Sequence, residues 1–329
     1  MKRMMLISLR LLLVILCAVA CQRRPFVEHT TGVNLILKVN TQIVNAGDVP
    51  MPETMRVDLF DPETGAVLYT DYISSTGGYI YPAPGEYDML LYNIGTESTL
   101  IRNEYNHDEV EAYTNDVSSF IKGQLAKFLA SRAKARAERG KTKADEEERI
   151  VNEPDHLFVA SGHRIDIPAF VEEEEEREIT VEVDAHSVVE TWKVKVVSVI
   201  GLQWVQSAVA IMSGQVESTF IGKDEDSDRI VSIYFEMDKN EEDGIIEGTF
   251  NTFGKHPEEL SELSFDVNIT DTGGDEHHFH FDVTEDFFDN PDNTIIIDEQ
   301  IEIEEPKTGG GGFDPSVEDW EDVKTDIML

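Results

Sequence analysis

Apolar and polar residues alternate along most of the chain, and a period of two is typical of strands with one buried face. The alternation begins at residues 33–39, and residues 56–60 and 66–73 flank a turn sequence that predicts a hairpin. The cleanest alternation comes later, at residues 179–185, 192–196, 231–237 and 263–269. Short strands separated by Gly, Asp and Asn turns are typical of β-sandwiches, so the pattern predicts a mainly β protein.

One segment breaks this alternation and predicts a helix. Four apolar residues recur with a helical period, and Ser118 or Ser119 stands where a cap is expected; they are Ile121, Leu125, Phe128 and Leu129. Between Phe120 and Lys143 the chain has eight Lys or Arg residues and one Glu. We therefore predict a basic helical insertion over residues 118–150. It is either a solvated helix that covers a sheet edge or a docking arm for lipid headgroups or an acidic partner. Because its apolar face ends at Leu129, residues 130–143 are expected to be dispensable for folding.

The N-terminus matches a bacterial lipoprotein signal peptide, with basic residues, a leucine-rich run and then Ala18-Val19-Ala20. These small residues directly precede Cys21, the predicted lipidation site; the bulky Leu16 disfavours Cys17. Gln22, in place of an aspartate, favours the outer membrane, and whether the protein faces the periplasm or the cell surface is left open.

The predicted organisation is a signal peptide at residues 1–20, a tether at 21–31, and two β-sandwich domains. The N-terminal domain spans residues 32–170 and contains the helical insertion 118–150. A run of glutamates at residues 172–176 is interpreted as a linker, and the C-terminal domain spans residues 171–329.

Charge and cysteine content exclude several functions. The formal net charge is −39, which argues against nucleic-acid binding because a polyanion would be repelled. After cleavage Cys21 is the only cysteine, so neither an intrachain disulfide nor a cysteine nucleophile is expected in the folded body. The sequence contains no nucleophile-elbow, phosphate-loop or dinucleotide motif, and we predict that the protein is not an enzyme.

The clearest candidates for metal ligands are His278, His280 and Asp282, which share one face of a predicted strand. Since no fourth ligand is visible, we predict that they hold no metal and that the protein needs no cofactor. The acidic residues at 224, 226 and 228 start like an EF-hand, but Arg229 replaces the required glycine and Phe235 the required glutamate. A looser surface calcium site, there or at residues 289–293, is left open.

Several phrases, in their order along the chain, resemble a family of Bacteroidales lipoproteins of unassigned function related to the fimbrillin and fimbrial-anchor (FimB-type) superfamily. The phrases lie at residues 21–25, 85–93, 111–114, 154–160, 201–205, 281–284 and 312–320. The resemblance implies two transthyretin-like β-sandwich domains, no catalytic residues, and a role in fimbriae or adhesion. The basic helix is larger than the connection that the family usually has.

The resulting interpretation is an outer-membrane lipoprotein that anchors, or assembles into, a fimbria-like structure. The alternative is a surface module that binds glycan or host protein, with calcium as a candidate ligand. For an anchor, the C-terminal tail is a candidate strand-exchange element because its apolar positions alternate; they are Val323, Thr325, Ile327 and Leu329. The other interpretation is that the tail completes its own sandwich.

Overall fold

The structure is a computed structural model that describes residues 32–40, 49–138, 149–168, 178–255, 263–288, 290 and 292–306. Over these residues the protein is mainly β, as predicted, with three short helices. None of the helices within these ranges is long and apolar enough to cross a membrane.

The elements are numbered in chain order. The first strands are β1 (Gly32–Asn40), β2 (Thr54–Phe60), β3 (Val67–Ser74), β4 (Gly77–Ile80), β5 (Gly85–Asn93), β6 (Thr99–Arg102) and β7 (Glu111–Thr114). Two helices follow, α1 (Ser119–Gln124) and α2 (Ala126–Glu138). The next strands are β8 (Ile150–Asn152), β9 (Phe158–Ile167), β10 (Glu178–Ser187), β11 (Glu190–Val196), β12 (Val199–Ile200), β13 (Val205–Val216), β14 (Ser218–Phe220) and β15 (Glu225–Asp226). The last elements are β16 (Ile230–Asn240), β17 (Ile245–Thr252), β18 (Ser264–Asp271), β19 (Glu276–Asp282), α3 (Thr284–Phe288), β20 (Thr294–Ile297) and β21 (Ile301–Glu302).

The first sheet closes on itself as a barrel in the order β1-β10-β9-β5-β2-β3-β4. Its neighbours are antiparallel except β1 and β10, which run parallel from Gly32 opposite Glu178 to Asn40 opposite His186. The alternation predicted from the sequence points one set of side chains inward, and they form an apolar core that includes Leu35, Val57, Leu91 and Val183. The barrel is therefore a filled core rather than a channel.

The second sheet has the order β19-β18-β13-β16-β17-β11-β20, with β8 paired to β16. Its inner face forms the largest apolar cluster of the described residues, in which the Trp192 ring packs on Phe287 of α3 with centroids 4.2 Å apart. A smaller sheet, β15-β14-β7-β6, joins strands from both halves of the chain. A third apolar cluster, with Phe60, Tyr92, Val189 and Val216, fills the junction.

Strand pairing does not follow the division predicted at residue 170. The sequence places β10 in the second sandwich, whereas it closes the first barrel by pairing with β1. Conversely, β8 and the helices, which were assigned to the first domain, pack on the second sheet. Local alternation carries no information about which distant strand is the partner, so the sequence pattern could not predict these pairings. The division itself falls within residues 169–177, outside the described residues, and two separate domains stay a prediction.

Candidate functional site

The basic helical segment lies on the outer face of the second sheet. Of the two serines that the sequence offered as a cap, Ser118 is the N-cap, and its Oγ accepts the backbone N–H of Ile121 at 3.2 Å. Leu125 and Phe128 are buried against Ile211 of β13, so the apolar face that the sequence predicted is the face that docks. The helix thereby shields from water a sheet face that carries both apolar and polar side chains.

The docking face continues one turn further than the apolar pattern. Arg132 follows Phe128 at the i+4 position and is only 2% exposed. Its Nε donates to Asp266 Oδ2 of β18 at 2.7 Å, and its Nη2 hydrogen-bonds to Ser213 of β13. An arginine in this position fixes the helix to two neighbouring strands at once.

Asp266 is the centre of this polar cluster and is 1% exposed. Its Oδ1 lies 3.1 Å from Nε2 of His278 and 2.8 Å from Nδ1 of His280, both on the adjacent strand β19. Burial alone would raise the pKa of the Asp266 carboxyl. The hydrogen bonds from the two histidines and the charge of Arg132 outweigh burial, so its pKa lies well below its ordinary value. The carboxylate is therefore held ionised between the helix and the sheet.

The structure separates the three residues that the sequence proposed as metal ligands. His278 and His280 share a strand face, but both direct a ring nitrogen at Asp266. Asp282 instead lies just before α3, and its Oδ1 accepts from the backbone N–H of Thr284 at 3.1 Å and from the Thr284 hydroxyl at 2.6 Å. In the part of the chain that the structure describes, no three His, Cys, Asp or Glu side chains are arranged to hold a metal ion.

The residues of the two candidate calcium loops also take part in local turns and strands. Asp224 has a left-handed backbone, with φ of 56°, and lies in the turn between β14 and β15, while Asp226 lies in β15 itself. In the second loop, the Asn290 side chain accepts the backbone N–H of Asp292 at 3.1 Å and donates to the Thr294 carbonyl. These residues close turns, and a calcium site at either loop stays a hypothesis.

A serine adds a further link to the cluster. Ser131 Oγ lies 3.1 Å from Nδ1 of His278, so Ser131, His278 and Asp266 follow the side-chain order of a hydrolase triad. A nucleophile also needs donors aimed at the developing oxyanion. Ser131 lies inside α2, whose backbone N–H groups bond within the helix, and Arg132 already holds the Asp266 carboxylate. Among the described residues, this chain of hydrogen bonds links the helix to the second sheet.

Two of these residues were missed by the sequence analysis. Asp266 lies on the polar side of the alternation at residues 263–269, and Arg132 is one of the eight bases counted in the helical segment. The expectation that residues 130–143 are dispensable conflicts with a buried Arg132. The available signal was the helical spacing, since Arg132 falls on the same face as Leu125 and Phe128. Cys21 and the tail residues Val323, Thr325, Ile327 and Leu329 lie outside the described residues.

The described residues form a β-rich protein. Its buried polar cluster attaches a helix to the second sheet. A family model described as a domain of unknown function (DUF5119) matches residues 20–236, which is 217 of 329 residues. The chain belongs to the DUF5119 family.

Two proteins from Bacteroides ovatus are similar over most of their length. One is named "Putative fimbrium anchoring subunit Fim4B"; it is 25% identical over 343 residues, which cover 93% of this chain and 92% of the relative. The other is a crystal structure of "a putative adhesin", with 23% identity, a TM-score of 0.60, and coverage of 88% of this chain and 98% of that chain. This likeness shows that the fold is shared. The fimbrial anchor protein Mfa2 from Porphyromonas gingivalis is more distant, with 15% identity, a TM-score of 0.47, and coverage of 78% and 83%.

Proposed function

We propose that this protein is an outer-membrane lipoprotein, held by a lipid on Cys21, that anchors or joins a fimbria-like assembly. One observation carries the proposal: the similarity to a protein named as a fimbrium anchoring subunit extends over 93% of this chain and 92% of the relative. A shared domain alone would match only part of each chain. Similarity from end to end favours a shared role for the whole protein.

The finer parts of the proposal concern how the protein is built and how it holds a partner. The resemblance described above implies two transthyretin-like units, and strand exchange through the tail at residues 323–329 would give an assembly its subunit contact. Backbone hydrogen bonds would supply affinity, and pockets for alternate side chains would supply specificity. A structural role also agrees with a buried polar cluster that attaches a helix to the second sheet.

The first test concerns the membrane. In a Bacteroidales host, the protein should fractionate with the outer membrane, and mass spectrometry should find a diacylated or triacylated Cys21 at the mature N-terminus. The Cys21→Ala variant should leave the membrane fraction. If that variant stays in the outer membrane, lipid on Cys21 is not the anchor.

The second test concerns the assembly. Wild type should copurify with fimbrial subunits from the same cells, and a variant without residues 323–329 should remain folded and lose them. A truncated protein that no longer folds would show that the tail is a resident core strand. A folded protein that retains its partners would place the contact elsewhere.

A further inference from the structure

Aromatic side chains are exposed on one part of the barrel wall. Tyr79 and Tyr81 point outward and are 50% and 55% exposed, because Ile80 between them points into the barrel core. On β3, Leu68 and Tyr72 are also exposed and alternate with inward residues. We call these four residues the tyrosine face. An exposed apolar surface with tyrosine hydroxyls is typical of a surface that meets a partner with both apolar and polar parts.

The tyrosine face adjoins the residue at which the described chain begins. A Cβ added to Gly32 would lie 3.4 Å from Tyr81 Cε1 and 4.0 Å from Tyr79 Cδ1, so both rings lie beside Gly32. The Tyr79 hydroxyl donates to Glu178 at 3.0 Å, and Glu178 is the register partner of Gly32. Only residues 22–31 separate Gly32 from Cys21, and eleven Cα-to-Cα steps reach about 40 Å at most. A lipid on Cys21 therefore keeps these rings within about 40 Å of the bilayer.

The second sheet lies at the other end of the barrel. Strand β10 begins at Glu178, beside the tyrosines, and ends at Ser187, three residues before β11 begins the second sheet. Nine steps along a strand cover about 30 Å. The barrel thus has one end at the tether and the other at the helix-covered sheet. A contact between the bilayer and the protein is expected first at Tyr79 and Tyr81.

We propose that Tyr79 and Tyr81 insert into the headgroup layer of a zwitterionic phosphatidylethanolamine bilayer and orient the barrel on the membrane. This inference rests on the lipid anchor of the proposed function. Tyrosine suits the membrane–water interface because its ring is apolar and its hydroxyl is polar. The charge around the rings selects the lipid. Glu178 and Glu182 are exposed on β10 at this end of the barrel and repel anionic headgroups, whereas the net-neutral phosphatidylethanolamine headgroup offers an ammonium group to these carboxylates.

The test attaches the mature chain, residues 21–329, to vesicles through the Cys21 thiol. Because Cys21 is the only cysteine of that chain, a maleimide lipid couples at one site. The vesicles contain phosphatidylethanolamine and phosphatidylcholine, with a nitroxide quencher on a fraction of the headgroups. Tyr79→Trp introduces a reporter indole at the tether end, and Tyr81→Trp is a second variant in case the first fails to fold. Phe120→Trp on α1 and Ile296→Trp on β20 are controls, since both positions carry exposed apolar side chains on the second sheet's elements.

The added emission of Tyr79→Trp or Tyr81→Trp should be quenched about twofold or more strongly than that of either control, because interfacial aromatic rings lie at headgroup level. Replacing part of the phosphatidylethanolamine with phosphatidylglycerol should reduce this difference. Equal quenching at all positions would overturn the inference. Protection of residues 77–81 in the absence of lipid, by a soluble glycan or by another copy of the chain, would also overturn it. Chemical coupling replaces natural lipidation, so a failure here is distinct from the absence of lipid on Cys21 in cells.

Discussion

The barrel and the second sheet have similar inner faces and different outer faces. Both bury a continuous set of alternating apolar side chains. On β1 and β10 of the barrel, outward residues such as Lys38 and Glu182 are exposed to solvent. On β18 of the second sheet, the outward residues Asp266 and Asn268 are buried. The helical segment that covers them comes from a part of the chain more than a hundred residues away.

The difference teaches that alternation identifies the two faces of a strand and leaves open what covers the polar one. A solvent-exposed carboxylate pays no desolvation free energy when it ionises, whereas a buried carboxylate needs compensating partners. Asp266 has them in Arg132, His278 and His280. The second sheet is therefore expected to depend on single polar side chains in a way that the solvated β1 and β10 part of the barrel wall does not.

The largest effect is expected from removing one partner of the buried ion pair. Arg132→Met leaves the Asp266 carboxylate buried without its cation and should lower the free energy of unfolding by about 3–5 kcal/mol. Glu182→Gln on the barrel wall is the matched control and should change it by less than about 0.5 kcal/mol. Urea denaturation followed by circular dichroism measures both.

A double variant sharpens this result. Arg132→Met combined with Asp266→Leu removes both charges, and it should recover part of the loss because no unpaired charge remains buried. A loss of less than about 1 kcal/mol for Arg132→Met would show that the helix docks without the ion pair.

The next effect compares two phenylalanines on the same helical segment. Phe128 is 1% exposed beneath α2, with its ring 5.0 Å from the His278 ring, whereas Phe120 on α1 is 71% exposed. Phe128→Ala should cost about 3 kcal/mol through a cavity, and Phe120→Ala should cost less than about 0.5 kcal/mol. Equal and small losses in thermal or urea unfolding would mean that the helix is solvated and does not dock through Phe128.

The strands and the helix could be predicted because their signals are local. Period-two alternation located most strands, and the spacing of Leu125 and Phe128 together with the Ser118 cap located the helix. The closure of the barrel could not be predicted, since the parallel pairing of β1 with β10 joins segments about 150 residues apart. No local pattern encodes such a register.

Predicting the polar cluster also required knowing which distant segments lie next to each other. His278 and His280 were recognised as sharing a strand face, and their partner was sought along the same strand at Asp282. The structure supplies Asp266 from the neighbouring strand and Arg132 from the helix. Some of the sequence phrases that carry the family resemblance also meet each other in the structure. Asn93 of one phrase accepts the backbone N–H of Phe158 of another at 2.6 Å, at the junction of the two regions.

The two regions also contain buried carboxylates whose pKa values shift in opposite directions. On β2 of the barrel, burial raises the pKa of Asp58 above its ordinary 3.8, although Thr70 and Arg56 donate to it. In the second sheet the pKa of Asp266 is lowered. Below about pH 4 the unfolded chain therefore binds more protons at position 266 than the folded protein does. Just above that pH the folded protein binds more protons at position 58.

The opposite pKa shifts of Asp58 and Asp266 give the smallest and most specific prediction. It concerns the free energy of unfolding between pH 3 and pH 6. The contribution of Asp266 is present above its unfolded pKa and is lost on acidification, so Asp266→Asn should lose less stability than wild type as the pH falls. Asp58 contributes in the opposite sense, because protonation relieves its burial, so Asp58→Asn should lose more. Each slope is at most about 1.4 kcal/mol per pH unit, the value for one proton. Urea midpoints at each pH measure the effect, and Asp184→Asn on the exposed wall of β10 is the control. If both variants shifted the slope in the same direction, the two carboxylates would share one environment and the contrast between the regions would be wrong.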